Sequence, residues 1–512
     1  MDKDHPVYPM FAKAIKKHKK PHIINSKDNV IGNSLSIGNP GYAKTSGNRR
    51  EMELRWALNH KLFALYDGGA RMDMSFFAFP SIEPFWKKPK AERGKLVGAR
   101  RYPTELLYPI TKHTPRKIPN IGRLFSIAIS DLDENDLVAM VGSSSKDSIK
   151  GAFNYVKSKV NDETTPEDFL NMLIDGYKKG EKGVKLDHHG VKKLKEAVFQ
   201  PLINEGLLTS KKAQTCINFK EIIKDKKNIS VLVLRHVPQS LWGFLVFFFM
   251  NHISRTLSGI DDTKRIKQKT TIVLNEVADL LDNDDEKGSS SFSINKMIAK
   301  IAKQSRTFDI FMLLDTQIPS ELPSIRDTMK RVYVYNSSLP SIEKAMEITG
   351  VSTRTGEVTT DDLQIIPHLS PGWYYLFDRD NGVFMGKQVW TRSRTWKDGD
   401  DFYDIYEKVY GKMAYYDTTP ILEEIKKENE KSRIAWESKE KILNKSTKEL
   451  IEKEVEKEVD KTEEKKVIED GIEIMENNEK AKKIPELNKE IIKDEDESEM
   501  SYESYKKIME TI

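Results

Sequence analysis

Cysteine is nearly absent: Cys216 is the only one in 512 residues. No disulfide can close within one chain, and a cysteine metal cluster is disfavoured. A single thiol suits a reducing compartment, and the start carries no secretory pattern, so the expected location is cytoplasmic. Long apolar runs are missing too. The most apolar stretch, 241–250 (LWGFLVFFFM), falls well short of the about 20 residues that span a bilayer. It reads as a buried helix, and no integral membrane segment is expected. Charge of one sign is also scarce. The formal net charge is only +5 with 84 Lys and Arg against 79 Asp and Glu, so the chain is no basic nucleic-acid coat, and any basic surface must be local.

What is present fits a protein with at least one sizeable core and a highly charged extension: 38% of residues are hydrophobic and 32% charged. The length accommodates roughly two to four domains. Residues 1–28 are polar and locally basic, with Lys13, Lys16, Lys17, Lys19 and Lys20 clustered before Pro21. They read as a solvated arm, with a nucleic-acid or partner contact as the sharper alternative.

Over 29–400, short apolar runs at 35–37, 62–66, 125–129, 230–237, 271–274, 310–314, 331–335 and 373–377 alternate with helical patterns. Continuous rather than alternating apolar runs are those of strands covered on both faces. The expectation is an α/β domain with a mainly parallel sheet. Residues 131–225 differ, being Lys-rich with few strand signals, and read as a helical insertion. Asp133 and Asp136 can begin one of its helices. Thr165-Pro166-Glu167-Asp168 starts another, with Thr165 as cap. His188-His189 there lacks further ligands and is better read as a surface loop than a metal site.

From 401 to 512 the expectation is a charged helical tail. Ile451, Val455 and Val459 recur at i, i+4, i+8 amid Lys and Glu. That stripe is too thin for a core and suits a solvated helix, or a weak coiled coil or docking arm.

The stretch around which the rest is arranged is Gly38-Asn39-Pro40-Gly41-Tyr42-Ala43-Lys44-Thr45-Ser46. It follows a short strand and opens a helix, and it nearly matches the phosphate-binding loop Gly-x4-Gly-Lys-Ser/Thr. Glycines let backbone N–H groups turn toward phosphate oxygens, and the helix start adds its positive end. Lys44 is placed to reach the β- and γ-phosphates, and the Thr45 hydroxyl to ligate Mg2+. Ala43 stands where the second glycine belongs. A second element is the strand 271–274 ending in Asn275-Glu276. Asn275 takes the magnesium-side position without its charge, and Glu276 is the candidate water-orienting carboxylate. A third is 310–314 followed by Asp315-Thr316-Gln317, with Gln317 as a sensor of the γ-phosphate or attacking water.

In order and spacing these parts resemble the HerA/FtsK superfamily of P-loop motor ATPases. The similarity runs from the Gly38–Thr45 loop through Asp67-Gly68 and 125–132. It continues through Asn275-Glu276, the run Gln304-Ser305-Arg306-Thr307, 314–320 and Ile325-Arg326. The resemblance implies a RecA-like P-loop NTPase core, ATP and Mg2+ as cofactors, double-stranded DNA as partner, and a ring, usually a hexamer. It also implies a trans-acting arginine, for which Arg306 and Arg331 are the candidates. The implied function is a DNA-translocating or packaging ATPase. Ala43 and Asn275 keep a second reading open, a nucleotide-binding regulatory or assembly subunit with weak or no hydrolysis. The acidic and Ser-rich stretch 282–291 reads as a mobile loop, and Lys296, Lys300 and Lys303 after it lie off the apolar helix face, where they could meet DNA phosphates.

Overall fold

In the computed structural model the described residues are 6–18, 32–68, 72–79, 101–141, 146–179, 194, 199–260, 265–281, 290–322, 325, 328–354, 357–387, 401–427, 430, 431 and 434. They belong to one compact unit, Met1–Glu437; a second unit, Ser438–Ile512, lies outside them, with the 451–459 stripe.

The strands in chain order are β1 (Asn33–Ile37), β2 (Lys61–Asp67), β3 (Thr104–Pro109), β4 (Lys117–Pro119), β5 (Gly122–Phe125), β6 (Ile127–Ala128), β7 (Leu208–Thr209), β8 (Ile229–Leu232), β9 (Thr270–Asn275), β10 (Ile310–Thr316), β11 (Met329–Val334), β12 (Trp373–Asp378), β13 (Gly382–Lys387) and β14 (Tyr415–Asp417). The α-helices are α1 (Tyr8–Lys17), α2 (Lys44–Ala57), α3 (Glu134–Val141), α4 (Lys146–Lys157), α5 (Pro166–Lys179), α6 (Gln200–Glu205), α7 (Phe219–Lys224), α8 (Trp242–Ser258), α9 (Ser290–Phe308), α10 (Leu339–Thr349), α11 (Thr360–Ile365) and α12 (Phe402–Tyr410).

Ten strands form one sheet in the order β13-β12-β11-β1-β10-β9-β2-β8-β3-β5. Pairing is parallel from β11 to β5 and antiparallel only at β11–β12 and β12–β13. The central run β11-β1-β10-β9-β2, with β10 between the loop-bearing strand β1 and β9, which leads into Glu276, is a RecA-like P-loop core of α/β class. Side chains alternate between two covered faces, as strand pleating dictates. On β9 Ile272 and Leu274 pack on one face with α8 and α9, while Val273 faces the layer of α2. Helix α8 is the apolar run anticipated from sequence, and residues 244–250 are fully buried.

The run 125–129 divides. β5 ends at Phe125 and joins the large sheet, whereas β6 turns away to pair with β7 from the 131–225 segment. Among its described residues the regular structure of that segment is helical apart from β7. Thr165 and Asp168 cap α5 reciprocally: the Asp168 N–H donates to Thr165 Oγ1 and the Thr165 N–H to Asp168 Oδ2, both at 3.1 Å. Asp133 accepts from the Asn135 and Asp136 amides at the start of α3. His188-His189 and residues 282–289 lie outside the described residues; α9 already begins at Ser290.

Part of the expected basic arm is docked. On α1, Phe11 is buried against Trp373 with ring centroids 5.2 Å apart, and His18 meets Asp362 at 3.1 Å. Beyond residue 401, α12 inserts Phe402 and Tyr406 beside Phe79 on the α2 side of the sheet. β14 pairs with β4.

Candidate functional site

The C-terminal ends of parallel strands are where an α/β sheet leaves a crevice. Here β1, β2, β9, β10 and β11 all end at one place. β1 terminates at Ile37, and residues 38–43 curl back before α2 begins at Lys44. Gly38 has φ +156°, and a Cβ there would lie 2.8 Å from Tyr335 Cβ. Gly41 has φ 78° and Ala43 φ 73°. Ala43 thus occupies the left-handed region that favours glycine, at a cost of about 1–2 kcal/mol. The loop keeps a glycine-type backbone without the glycine.

The loop wraps the Lys44 head. Lys44 Nζ donates to Gly38 O at 2.7 Å and Asn39 O at 3.3 Å, and it lies 3.6 Å from Glu276 Oε1. Lys44 is buried, while Gly41, Asn39 and Pro40 are exposed and Tyr42, Thr45 and Ser46 half-buried. The start of α2 carries no side-chain cap and no acid in its first turn. An uncapped 14-residue helix aimed at a buried lysine fits an anion such as a polyphosphate.

Around this loop the strand ends carry a polar network. Ser36 Oγ donates to Asn48 Oδ1 at 2.9 Å. Asn48 Nδ2 donates to Asn275 Oδ1 at 3.0 Å and Asp315 Oδ2 at 3.2 Å. Asn275 Nδ2 donates to Asp67 Oδ1 at 3.1 Å. Asp67 Oδ2 accepts the Met74 N–H at 2.6 Å. The Glu276 backbone N–H donates to Asp315 Oδ1. Burial pushes the Asp315 carboxyl up to about 8, helped by the charges of Glu276 and Asp67 and opposed by Lys44.

Asn275 thus spends its amide on Asn48 and Asp67, and the acids nearest it stand at the ends of the two flanking strands. Among the described residues no trio of His, Cys, Asp or Glu is arranged to hold a metal. Mg2+ carried by a nucleotide needs few protein ligands, and the half-buried Thr45 hydroxyl on the first turn of α2 fits that role.

The structure brings together Gly38 to Ser46, Asn275 and Glu276. Gln317 is exposed just past β10, on the same edge of the sheet. Arg306 lies on α9, but its side chain falls outside the described residues. Arg331 does not fit a trans role. It is 2% exposed on β11, and its Nε donates to Asp378 Oδ2 at 3.0 Å. Its register partner Ser34 lies toward the start of β1, away from the loop, so Arg331 is an internal tie rather than a surface charge.

Sequence alone does not single out Asn48, Asp315 or Asn336. Asn336 follows β11 and clamps the loop: its O accepts the Asn39 N–H at 2.8 Å, and its Oδ1 accepts from Asn39 Nδ2 at 2.7 Å. Its own Nδ2 donates to Pro367 O at 2.6 Å. The one local signal was Asp315 itself, a carboxylate directly after five apolar strand residues.

No protein-family model matches the chain, and no curated protein matches it. Solved structures similar to it include the bacterial conjugative coupling protein TrwB, at TM-score 0.40 and 11% identity over 71% of this chain and 86% of that one. VirB4 of Thermoanaerobacter pseudethanolicus is similar at TM-score 0.42 and 10% identity, over 73% and 91%. The genome-packaging NTPase B204 from Sulfolobus turreted icosahedral virus 2, in complex with AMP, is similar at TM-score 0.21 and 10% identity, over 34% and 73%. All three are P-loop ATPases of the FtsK/HerA type. Likenesses of this size carry no weight beside the sheet order and loop geometry described above.

Proposed function

We propose that this chain is an ATP-dependent motor that translocates or packages double-stranded DNA, hydrolysing ATP at subunit interfaces of a ring. The observation that carries the nucleotide part is the pairing of a phosphate-type loop with Glu276, whose Oε1 lies 3.6 Å from Lys44 Nζ. Loop amides and the α2 start would hold the phosphates, with Lys44 turning from the loop carbonyls to the β- and γ-oxygens. Thr45 would ligate Mg2+, and Asn275 Oδ1, one lone pair of which accepts from Asn48, would use its second to accept from a water on the metal. The metal would supply charge neutralisation at the phosphates. Glu276 would orient or deprotonate the attacking water, and Gln317 would sense it. Arg306 is the candidate trans arginine. The DNA part is supported by the order of motifs that resembles HerA/FtsK ATPases. It is also supported by Lys296, Lys300 and Lys303, which are exposed on α9 and suited to sequence-independent phosphate contact. Among the described residues no helix is long and apolar enough to cross a membrane.

A regulatory subunit with little hydrolysis is the second reading. It is favoured by Asn275, whose amide adds no charge at the metal side. Measuring ATP turnover with and without double-stranded DNA, alongside Lys44→Ala, separates the two. DNA-stimulated turnover lost in Lys44→Ala supports the motor. ATP binding without turnover under any DNA condition sinks the motor and leaves the regulatory role.

A further inference from the structure

We propose that Asp315 is the positioning residue for Glu276, acting through the Glu276 backbone; this rests on the catalytic role proposed for Glu276 above.

Glu276 directly follows β9 with φ 49° and ψ 50°, a left-handed conformation that is strained for a residue with a side chain. The turn reverses the chain and brings the Glu276 carboxylate to Lys44, where the side chain keeps 16% exposure. One neighbour holds it and another leaves room for it. On β10 the fully buried Asp315 accepts the Glu276 N–H through Oδ1. Just past β2 stands Gly68, where a Cβ would come within 3.1 Å of Glu276 Cγ. Asp315 is itself fixed, because its Oδ2 accepts from Asn48 Nδ2 at 3.2 Å, and Asn48 is anchored on α2 by Ser36.

One carboxylate therefore couples the helix that carries Lys44 and Thr45 to the residue opposite them. A carboxylate that only completed the fold would be an expensive choice here. Residues 310–314 of β10 are continuously apolar and buried, and a carboxyl group buried there is costly in either protonation state unless its oxygens are occupied. Both Asp315 oxygens are occupied, one by the backbone of Glu276 and one by α2. Asp315 touches no reacting atom, so its removal should move turnover without removing the ligand. Misplacing a reacting group by about 1 Å costs on the order of 10²-fold.

The test uses the full chain with Asp315→Leu, Asp315→Asn, Glu276→Gln and the Asp315→Leu/Glu276→Gln double variant. ATP binding stoichiometry corrects each preparation for its folded fraction. In Asp315→Leu we expect kcat to fall about 100-fold while ATP affinity stays within about threefold. Asp315→Asn, which keeps one acceptor oxygen, should fall between it and the unaltered chain. The double variant should be no slower than Glu276→Gln alone, since both changes disable one unit. Amide exchange supplies a readout independent of turnover: the Glu276 N–H should exchange at least tenfold faster in Asp315→Leu while 271–274 stay protected. Turnover within threefold of the unaltered chain, a double variant slowed by the product of the single effects, or unchanged exchange at Glu276 each overturns the proposal. A chain that never hydrolyses ATP, yet shows the exchange change, refutes the catalytic reading and keeps the contact.

Discussion

The helix bearing the phosphate-loop lysine is tied to the sheet by one buried ion pair, and cutting it makes a sharp prediction. Arg55 on α2 is fully buried. Its Nη2 donates to Glu51 Oε1 at 2.6 Å, Gly32 O at 2.7 Å and Ser34 Oγ at 3.1 Å, and its Nη1 to Thr271 Oγ1 at 3.2 Å. Ser34 Oγ in turn donates to Glu51 Oε1 at 2.6 Å. The pair thereby joins α2 to the chain entering β1 and to β9.

Arg55→Met would leave Glu51 as an unpaired buried carboxylate, at a cost of about 3–5 kcal/mol. Glu51→Leu strands the guanidinium and should cost about as much. Replacing both removes both charges and leaves only weakly satisfied neutral groups at Gly32, Ser34 and Thr271, about 1–2 kcal/mol. Hydrogen exchange of α2 amides reads this local free energy without a two-state assumption for the whole chain. At roughly 1.4 kcal/mol per tenfold, protection should fall about 10²- to 10⁴-fold in each single variant and about 5- to 30-fold in the double.

The pH dependence has a definite sign. Burial raises the Glu51 carboxyl, but Arg55, Arg331 and the Ser34 hydroxyl more than offset this and hold it below its ordinary 4.5. A depressed carboxylate contributes stability above its unfolded value and loses it as pH falls through its folded value. The advantage of the unaltered chain over the double variant should therefore shrink below about pH 4.5. A double variant that loses the sum of the single effects, or an Arg55→Met protein that loses under tenfold, would refute this reasoning.

Three further outcomes are expected. His60 is fully buried; burial, with Arg55 and Lys269 nearby, pushes its pKa from 6.5 to about 3. Its contribution is present above pH 6.5 and lost as pH falls toward 3. Between pH 7 and pH 5 the unaltered chain should lose about 2 kcal/mol that His60→Gln does not, read from urea unfolding at each pH. Ala43→Gly should leave ATP affinity within about threefold, because the backbone at φ 73° is already in the glycine region. It should stabilise the empty protein by at most about 1 kcal/mol, since unfolded-chain entropy offsets the relieved strain; a tenfold gain in titrated affinity would instead mean that the Ala43 Cβ obstructs the ligand. Asn336→Ala removes the side-chain clamp on Asn39 and should weaken ATP binding about 5- to 30-fold with kcat at saturation unchanged; unchanged affinity would show that the backbone bond from Asn39 to Asn336 suffices.

Much of this arrangement is legible in the sequence because it is local. A strand, a Gly/Pro turn and Lys-Thr specify the loop, and three apolar residues before Asn275 and five before Asp315 specify buried strands. Thr165 and Asp168 find each other three residues apart. What is not legible depends on which strands become neighbours. β3 and β13 escape notice because β3 is broken by Glu105 and closed by Pro109, and β13 carries two glycines, Gly382 and Gly386, and is only half-buried at the sheet edge. Arg331 looks like a free arginine until β11 and β12 pair and set it opposite Asp378. Asp315 reads as one more polar strand end until β10 is placed between β1 and β9. Only that order lets a single carboxylate reach both Asn48 on α2 and the amide of Glu276. The same order accounts for Asn275: with Glu276 next to it and Asp67 and Asp315 at the ends of the flanking strands, a fourth acid at 275 would add repulsion in a buried site, and an amide that accepts from one neighbour and donates to another is the residue that fits.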